Sequence, residues 1–155
     1  VGAALGYYSI LSRLHAPPGI RVHAFNPHPL FVTEMRQNLV LNRVDGEKVC
    51  IHELAASDHT GKQQRFDFGY GGSLLKTRNW GSEAADVWTT TLDDWARANL
   101  PASAAPFLLV KMDVEGMAGR ILGRASRILK EATHWFIGIH NTEEWRAVRR
   151  LFSSR

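Results

Sequence analysis

Short apolar runs alternate with stretches of helical periodicity along most of this chain, and that alternation restricts the fold more than any other feature. Tyr7, Ile10, Leu11 and Leu14 recur at helical spacing over Tyr7 to His15, and Ala16-Pro17-Pro18-Gly19 stops the helix. Arg21 to Phe25 reads as a short strand closed by Asn26-Pro27. A helix is expected from Pro29 to Val44, carried by Phe31, Met35, Leu39 and Val40, and a second strand from Val49 to Ala55. The rhythm returns at Phe107 to Val114, a near-continuous apolar run like that of a central parallel strand covered on both faces. An amphipathic helix over Gly116 to Glu131, a strand over Trp135 to Ile139 and a helix over Glu143 to Phe152 follow. Strands and helices in this order build βαβ units. The expected fold is α/β, with a doubly wound, mostly parallel sheet.

Between about residues 57 and 106 the alternation lapses. Gln64 to Phe68 and Val87 to Leu92 read as strands, Asp93 to Leu100 as a helix, and Pro101 to Pro106 as a linker. Gly71-Gly72-Ser73 reads as a mobile lid or a hairpin tip. This stretch is expected to be an insertion in a single domain, which 155 residues can fill. The chain opens on Val1-Gly2 with no strand before the first helix. The first strand and the far end of the domain are therefore expected to lie outside these residues.

Composition narrows the class without naming it. Apolar residues make up 45% and charged residues 22%, as in ordinary globular domains. No apolar run approaches the roughly 18–20 residues that span a bilayer. A lone cysteine, Cys50, excludes an internal disulfide framework and suits the cytoplasm, where no leader segment points elsewhere. The formal charge is +4 and the pI near 9.6. Arg120, Arg124, Arg127 and Lys130 would line one helical face, and Arg146, Arg149 and Arg150 another. Without interleaved aromatics these read as solvated faces, so no specific nucleic acid is expected. The tryptophans at 80, 88, 95, 135 and 145 read as packing residues.

Position gives the opening glycines their interest. In open α/β sheets ligands bind beyond the carboxyl ends of the strands, where a glycine-bearing turn lets a cofactor approach the backbone. Gly2 and Gly6 are placed for that role, with a helix behind them. Their G-x-x-x-G spacing lacks the middle glycine of the dinucleotide fingerprint, which disfavours a nicotinamide-dependent oxidoreductase.

Seven segments, in order, resemble the FkbM-type methyltransferases: Val1 to Ser9, Ala24-Phe25-Asn26-Pro27, Asn38 to Asn42, Ala55-Ala56-Ser57-Asp58, Gly71-Gly72-Ser73-Leu74, Thr90 to Asp94, and Lys111-Met112-Asp113-Val114-Glu115-Gly116. The resemblance implies a Rossmann-like class I methyltransferase fold, S-adenosylmethionine as cofactor, and O-methylation of a small-molecule or sugar hydroxyl. It also implies cofactor contacts from Gly2, Gly6, Asn26 and Pro27, and an adenine site near Ser57 and Asp58; an ordinary turn is the other reading of Asp58. Four residues depart from the family pattern. Asn26 stands for an acidic residue that accepts from both ribose hydroxyls, and a carboxamide has one carbonyl acceptor. Ala4 replaces an Asn, Met117 a polar residue, and Gly138 the acid of an E-x-H pattern that keeps His140. Asn26, Met117 and Gly138 support an alternative, a degenerate cofactor-binding module without turnover.

The residues able to carry chemistry gather at two strand ends. Lys111 and Asp113 share one side of their strand by period-two alternation, and Glu115 follows in the turn, placed to cap a helix starting at Gly116. A structural Lys111–Asp113 pair is one reading; Asp113 beside the reacting groups is the other. His140 ends the next strand, and its imidazole can accept a hydroxyl proton near neutral pH. No metal is expected, because no H-x-H, H-E-x-x-H or C-x-x-C spacing occurs.

Overall fold

A computed structural model describes residues 1–61, 63–67, 84–100 and 109–153. The Gly71-Gly72-Ser73 loop, Trp80, the Pro101–Pro106 linker and the Phe107 start of the apolar run lie outside the described residues. The chain divides into two compact units, Val1–Ala55 and Ala56–Arg155.

The first unit is a βαβ unit preceded by a helix. Helix α1 (Tyr7–His15) leads to β1 (Val22–Phe25), α2 (Pro29–Leu41), a single 3-10 turn (Gly46–Lys48) and β2 (Val49–His52). Strands β1 and β2 pair in parallel with Val22 opposite Val49 and Phe25 opposite His52. Pro29 opens α2 where its missing N–H costs nothing, and the His28 side chain accepts from the Leu30 N–H. The helix ends at Leu41, three residues before the expected Val44. There Arg43 turns left-handed and the Val44 N–H donates to the Leu39 carbonyl. Ile10, Ala24, Met35, Leu39, Val44 and Val49 form the core, with Met35 wholly buried. Burying a side chain of that size stabilises by about 1.5–3 kcal/mol.

The second unit begins at β3 (Ala55–Ala56), where the two units meet in the chain. Strands β4 (Gln63–Asp67) and β5 (Ala84–Thr90) are antiparallel, in a sheet of order β3-β5-β4. Helix α3 (Leu92–Asn99) follows, capped by the Thr91 hydroxyl. Strand β6 (Leu109–Met112), helices α4 (Ala118–Leu122) and α5 (Ser126–Glu131), strand β7 (His134–Ile137) and helix α6 (Thr142–Ser153) complete it. Strands β6 and β7 pair in parallel, with Lys111 opposite Phe136.

The expected parallel βαβ units are present, but the described strands form three separate sheets and no continuous doubly wound one. Strand β6 is also less enclosed than its apolar run implies: Leu109 is 47% exposed and only Met112 is fully buried. The single helix expected over Gly116 to Glu131 is instead two. Asp93 accepts from the Arg127 and Ile128 N–H groups, so a side chain from α3 restarts the helix after Gly123–Ala125. That break divides the proposed basic face, and Arg127 pairs with Glu131 at 2.9 Å. Arg146, Arg149 and Arg150 are exposed on α6 as expected. Of the described tryptophans, Trp95 is buried and Trp135 meets Phe152 edge-on, whereas Trp88 and Trp145 are about half exposed. No helix among the described residues is long and apolar enough to cross a membrane.

Candidate active site

Beyond the carboxyl ends of β6 and β7, four ionisable side chains face one another. The Lys111 ammonium lies 3.2 Å from Asp113 Oδ2, as the period-two alternation requires. His140 Nε2 lies 2.9 Å from Asp113 Oδ1, and its Nδ1 3.4 Å from Glu115 Oε2. Glu115 and Gly116 are both left-handed, with φ of 46° and 90°, and this turn returns the Glu115 carboxylate towards His140. Burial raises the Asp113 carboxyl, but the Lys111 charge and hydrogen bonds from Lys111 and His140 outweigh it and hold the group below its ordinary value. All four side chains keep a quarter or more of their surface in solvent, so a second reactant can reach them.

Both ring nitrogens of His140 therefore face carboxylates. A neutral imidazole donates through one nitrogen only, and a protonated ring donates through both. The arrangement suits a base whose protonated form is met at each end by negative charge. Gly138 makes it possible. A Cβ at that position would stand 2.7 Å from Asp113 Oδ1 and 3.3 Å from His140 Nε2. The departure that seemed to weaken the site is the one that leaves room for its closest contact.

The glycine loop of the first unit has a different character. Gly2, Ala4 and Gly6 have φ of 69°, 45° and 89°, so three left-handed residues curl the chain within five positions. The Ala3 N–H donates to the Phe25 carbonyl and the Gly6 N–H to the Ala3 carbonyl. A Cβ on Gly6 would come within 2.5 Å of Met35 Cγ, so this glycine serves close packing as well as the turn. Asn26 is only 6% exposed, and its side chain ties the loop to β1. Its Oδ1 accepts from the His28 N–H at 2.9 Å and its Nδ2 donates to the Ala4 carbonyl at 3.3 Å. Pro27 is half-buried between β1 and α2.

A model of the methyltransferase FkbM domain matches residues 1–155. The chain belongs to that family. No curated protein and no solved structure matches it.

In this FkbM domain the structure brings Lys111, Asp113, Glu115 and His140 together, and gives the remaining expected residues other company. Ser57 is fully buried; its N–H donates to the Thr90 carbonyl and its hydroxyl to Asp58 Oδ1. Asp58 also meets His59 Nδ1 at 2.7 Å. Burial raises the Asp58 carboxyl, and the hydrogen bonds from His59 and Ser57 lower it further than burial lifts it. Met117 is buried at the N-cap of α4 and does not line the surface. Glu115 does not cap α4, contrary to expectation, because it is turned towards His140. The cap comes from Glu144, whose Oε1 accepts from the Ala118 N–H at 2.9 Å.

Glu144 and His59 escaped the sequence reading. Glu144 looks like any first-turn acid of α6, and only its partner 26 residues away sets it apart. His59 carried a signal, since it directly follows Ser57-Asp58. Asp113, Glu115 and His140 each offer a ligand atom within 4.8 Å of the others, the oxygen and imidazole composition of a divalent-cation site. Lys111 already supplies Asp113 with positive charge, and a cation there would compete with it.

Proposed function

We propose that this FkbM domain is an S-adenosylmethionine-dependent methyltransferase that methylates a hydroxyl of a small molecule or sugar, with His140 as the proton acceptor. One observation carries the reading: His140 stands between the Asp113 and Glu115 carboxylates at the open ends of two parallel strands. S-adenosylmethionine would supply an electrophilic methyl group. The small residues and left-handed turns of Gly2 to Gly6 fit a cofactor that needs close backbone approach. Asn26 fits a ribose less well, being buried with its carbonyl engaged by the His28 N–H. Gly2, Gly6 and Pro27 are thus the preferred cofactor contacts of the first unit; Asp58 is the residue proposed for adenine, with the buried Ser57 holding it through its hydroxyl.

In the proposed reaction the acceptor hydroxyl would lose its proton to His140 as its oxygen takes the methyl group, the sulfur–methyl bond breaking and S-adenosylhomocysteine leaving. Asp113 and Glu115 orient the ring and stabilise the imidazolium. Lys111 keeps Asp113 ionised, so that it accepts from the ring and does not compete with it for the proton. The domain is read as doubly wound, with each parallel pair a part of that architecture. Its location is read as the cytoplasm, in keeping with a single cysteine, Cys50.

The degenerate-module reading keeps one supporting observation, the engaged Asn26 side chain. Incubation with S-adenosylmethionine and a panel of sugars and hydroxylated small molecules separates the two. Release of S-adenosylhomocysteine that depends on a free acceptor hydroxyl supports the enzyme. Calorimetric binding of the cofactor without any release supports the module.

A further inference from the structure

We infer that Glu144 is a positioning residue that sets His140 against Asp113 and Glu115. Glu144 is 4% exposed, an unusual place for a carboxylate, and both its oxygens are occupied. Oε1 accepts from the Ala118 N–H at 2.9 Å, and Oε2 accepts from the His140 N–H at 2.8 Å. Ala118 opens α4 directly after the Asp113-to-Met117 turn, so one side chain holds the backbone beside the carboxylates and the backbone of the base. Asn141 Oδ1 accepts from the Glu144 N–H at 2.8 Å and fixes the start of α6 from which the carboxylate reaches out. The reach requires α4 and α6 to lie close. Gly119 allows it, since a Cβ there would stand 2.7 Å from the Ala147 Cβ.

The chemistry demands a glutamate. Two N–H donors need two acceptors, and a carboxylate provides them in one plane. Glutamine has the same length, but its amide nitrogen would face one of those donors, so one hydrogen bond must break. Aspartate is one methylene short of spanning both. The expected result of losing a bond is a small displacement of His140, and displacements near 1 Å can slow a positioned reaction by about 100-fold.

The catalytic part of this inference rests on the reading of His140 as proton acceptor; the positional part does not. The test is nitrogen-15 NMR of the His140 ring in the full chain, comparing wild type with Glu144→Gln, Asp113→Asn and Val148→Ala. Val148 is buried on the same helix and takes no part in the Glu144 hydrogen bonds, so its variant serves as the control for destabilisation. Glu144→Gln should move the His140 ring resonances in the direction Asp113→Asn moves them. Val148→Ala should lower the melting temperature and leave them in place. Methyl transfer to the best acceptor of the hydroxyl panel should fall about 10- to 100-fold in Glu144→Gln, with S-adenosylhomocysteine affinity unchanged. Ring resonances unchanged in folded Glu144→Gln, or moved as far by Val148→Ala, would overturn the inference. Amide exchange in the wild type gives a second reading that needs no variant: the Ala118 and His140 N–H groups should be protected together. Exchange of either at the rate of an open loop would overturn it as well. If His140→Gln retains full turnover while Glu144→Gln still shifts the ring, the base assignment fails and the positioning role stands.

Discussion

The two units use histidine in opposite ways. In the first, His23 and His52 stack between neighbouring parallel strands, ring centroids 5.4 Å apart and Nδ1 to Nε2 3.1 Å. Burial, the His52 ring and Arg21 lower His23 to about 4, and burial lowers His52 too. In the second, His140 faces Asp113 and Glu115, with part of its ring in solvent. One environment disfavours the proton; the other sets two carboxylates against the ring. The same contrast holds for the polar residues nearby: Asn26 is consumed in holding a loop, whereas Asp113 and Glu115 remain directed at a reachable surface. A residue type at a strand end says little about chemistry until its hydrogen-bond partners are known.

Four changes act on that contrast. Asp113→Asn has the largest expected effect: turnover should fall by about 100-fold or more, the range for losing general-base assistance, with cofactor binding retained. Parallel kinetics and calorimetry check it, and equal loss of binding would return Asp113 to a structural role. Gly6→Ala should destabilise the first unit by about 1–3 kcal/mol, since it forces a left-handed alanine against Met35. Urea unfolding measures this, and a change within about 0.5 kcal/mol would mean the loop relaxes freely.

Gly138→Ala should cost less in stability and more in turnover. The obstructing atom is the end of the Asp113 side chain, which can swing away and so surrender His140. Turnover should drop by about tenfold, the scale of one hydrogen bond to a charged group, while the melting temperature stays near that of the wild type. An unchanged rate would show that the Asp113–His140 contact is dispensable.

Acid should produce the mildest effect and act on the units in order. His23 binds a proton in the unfolded chain near 6.5 and in the folded chain only near 4. Between those values acid favours unfolding of the first unit, and below the lower one the loss levels off. Asp58 and Asp113 are held below their ordinary value, so their contribution is full above the unfolded carboxylate range and is lost as the pH falls below it through the depressed folded values. Residue-resolved hydrogen exchange, corrected for intrinsic rates, should show β1 and β2 loosening between pH 7 and 5 while β6 and β7 hold. His23→Gln should reduce that difference, leaving the part that His52 contributes.

Much of the scaffold was legible because its signals are local. Helix α1 spans Tyr7–His15 as its apolar spacing and proline stop require, and β1, β2 and β7 fall within two or three residues of their apolar runs. What escaped was set at a distance. Ile121, Leu122, Ala125, Ile128 and Leu129 fit one helical stripe, yet Asp93 divides the helix from a position more than thirty residues away. The same holds for Glu144, whose role depends on two N–H groups outside its own helix. Lys111, Asp113, Glu115 and His140 could be nominated from the sequence because strand periodicity and strand ends are local. Their mutual geometry could not, since it depends on the absent side chain of Gly138.

His140, held between two carboxylates, is proposed to take the proton when a hydroxyl is methylated. Single-turnover transfer from S-adenosylmethionine carrying a carbon-13 methyl, run with wild type and His140→Gln, tests it directly. The product should be a labelled methyl ether matched by an equal amount of S-adenosylhomocysteine, formed at least about 100-fold more slowly without the imidazole. Label recovered on nitrogen, sulfur or carbon, or ether formed equally fast in both proteins, would contradict it.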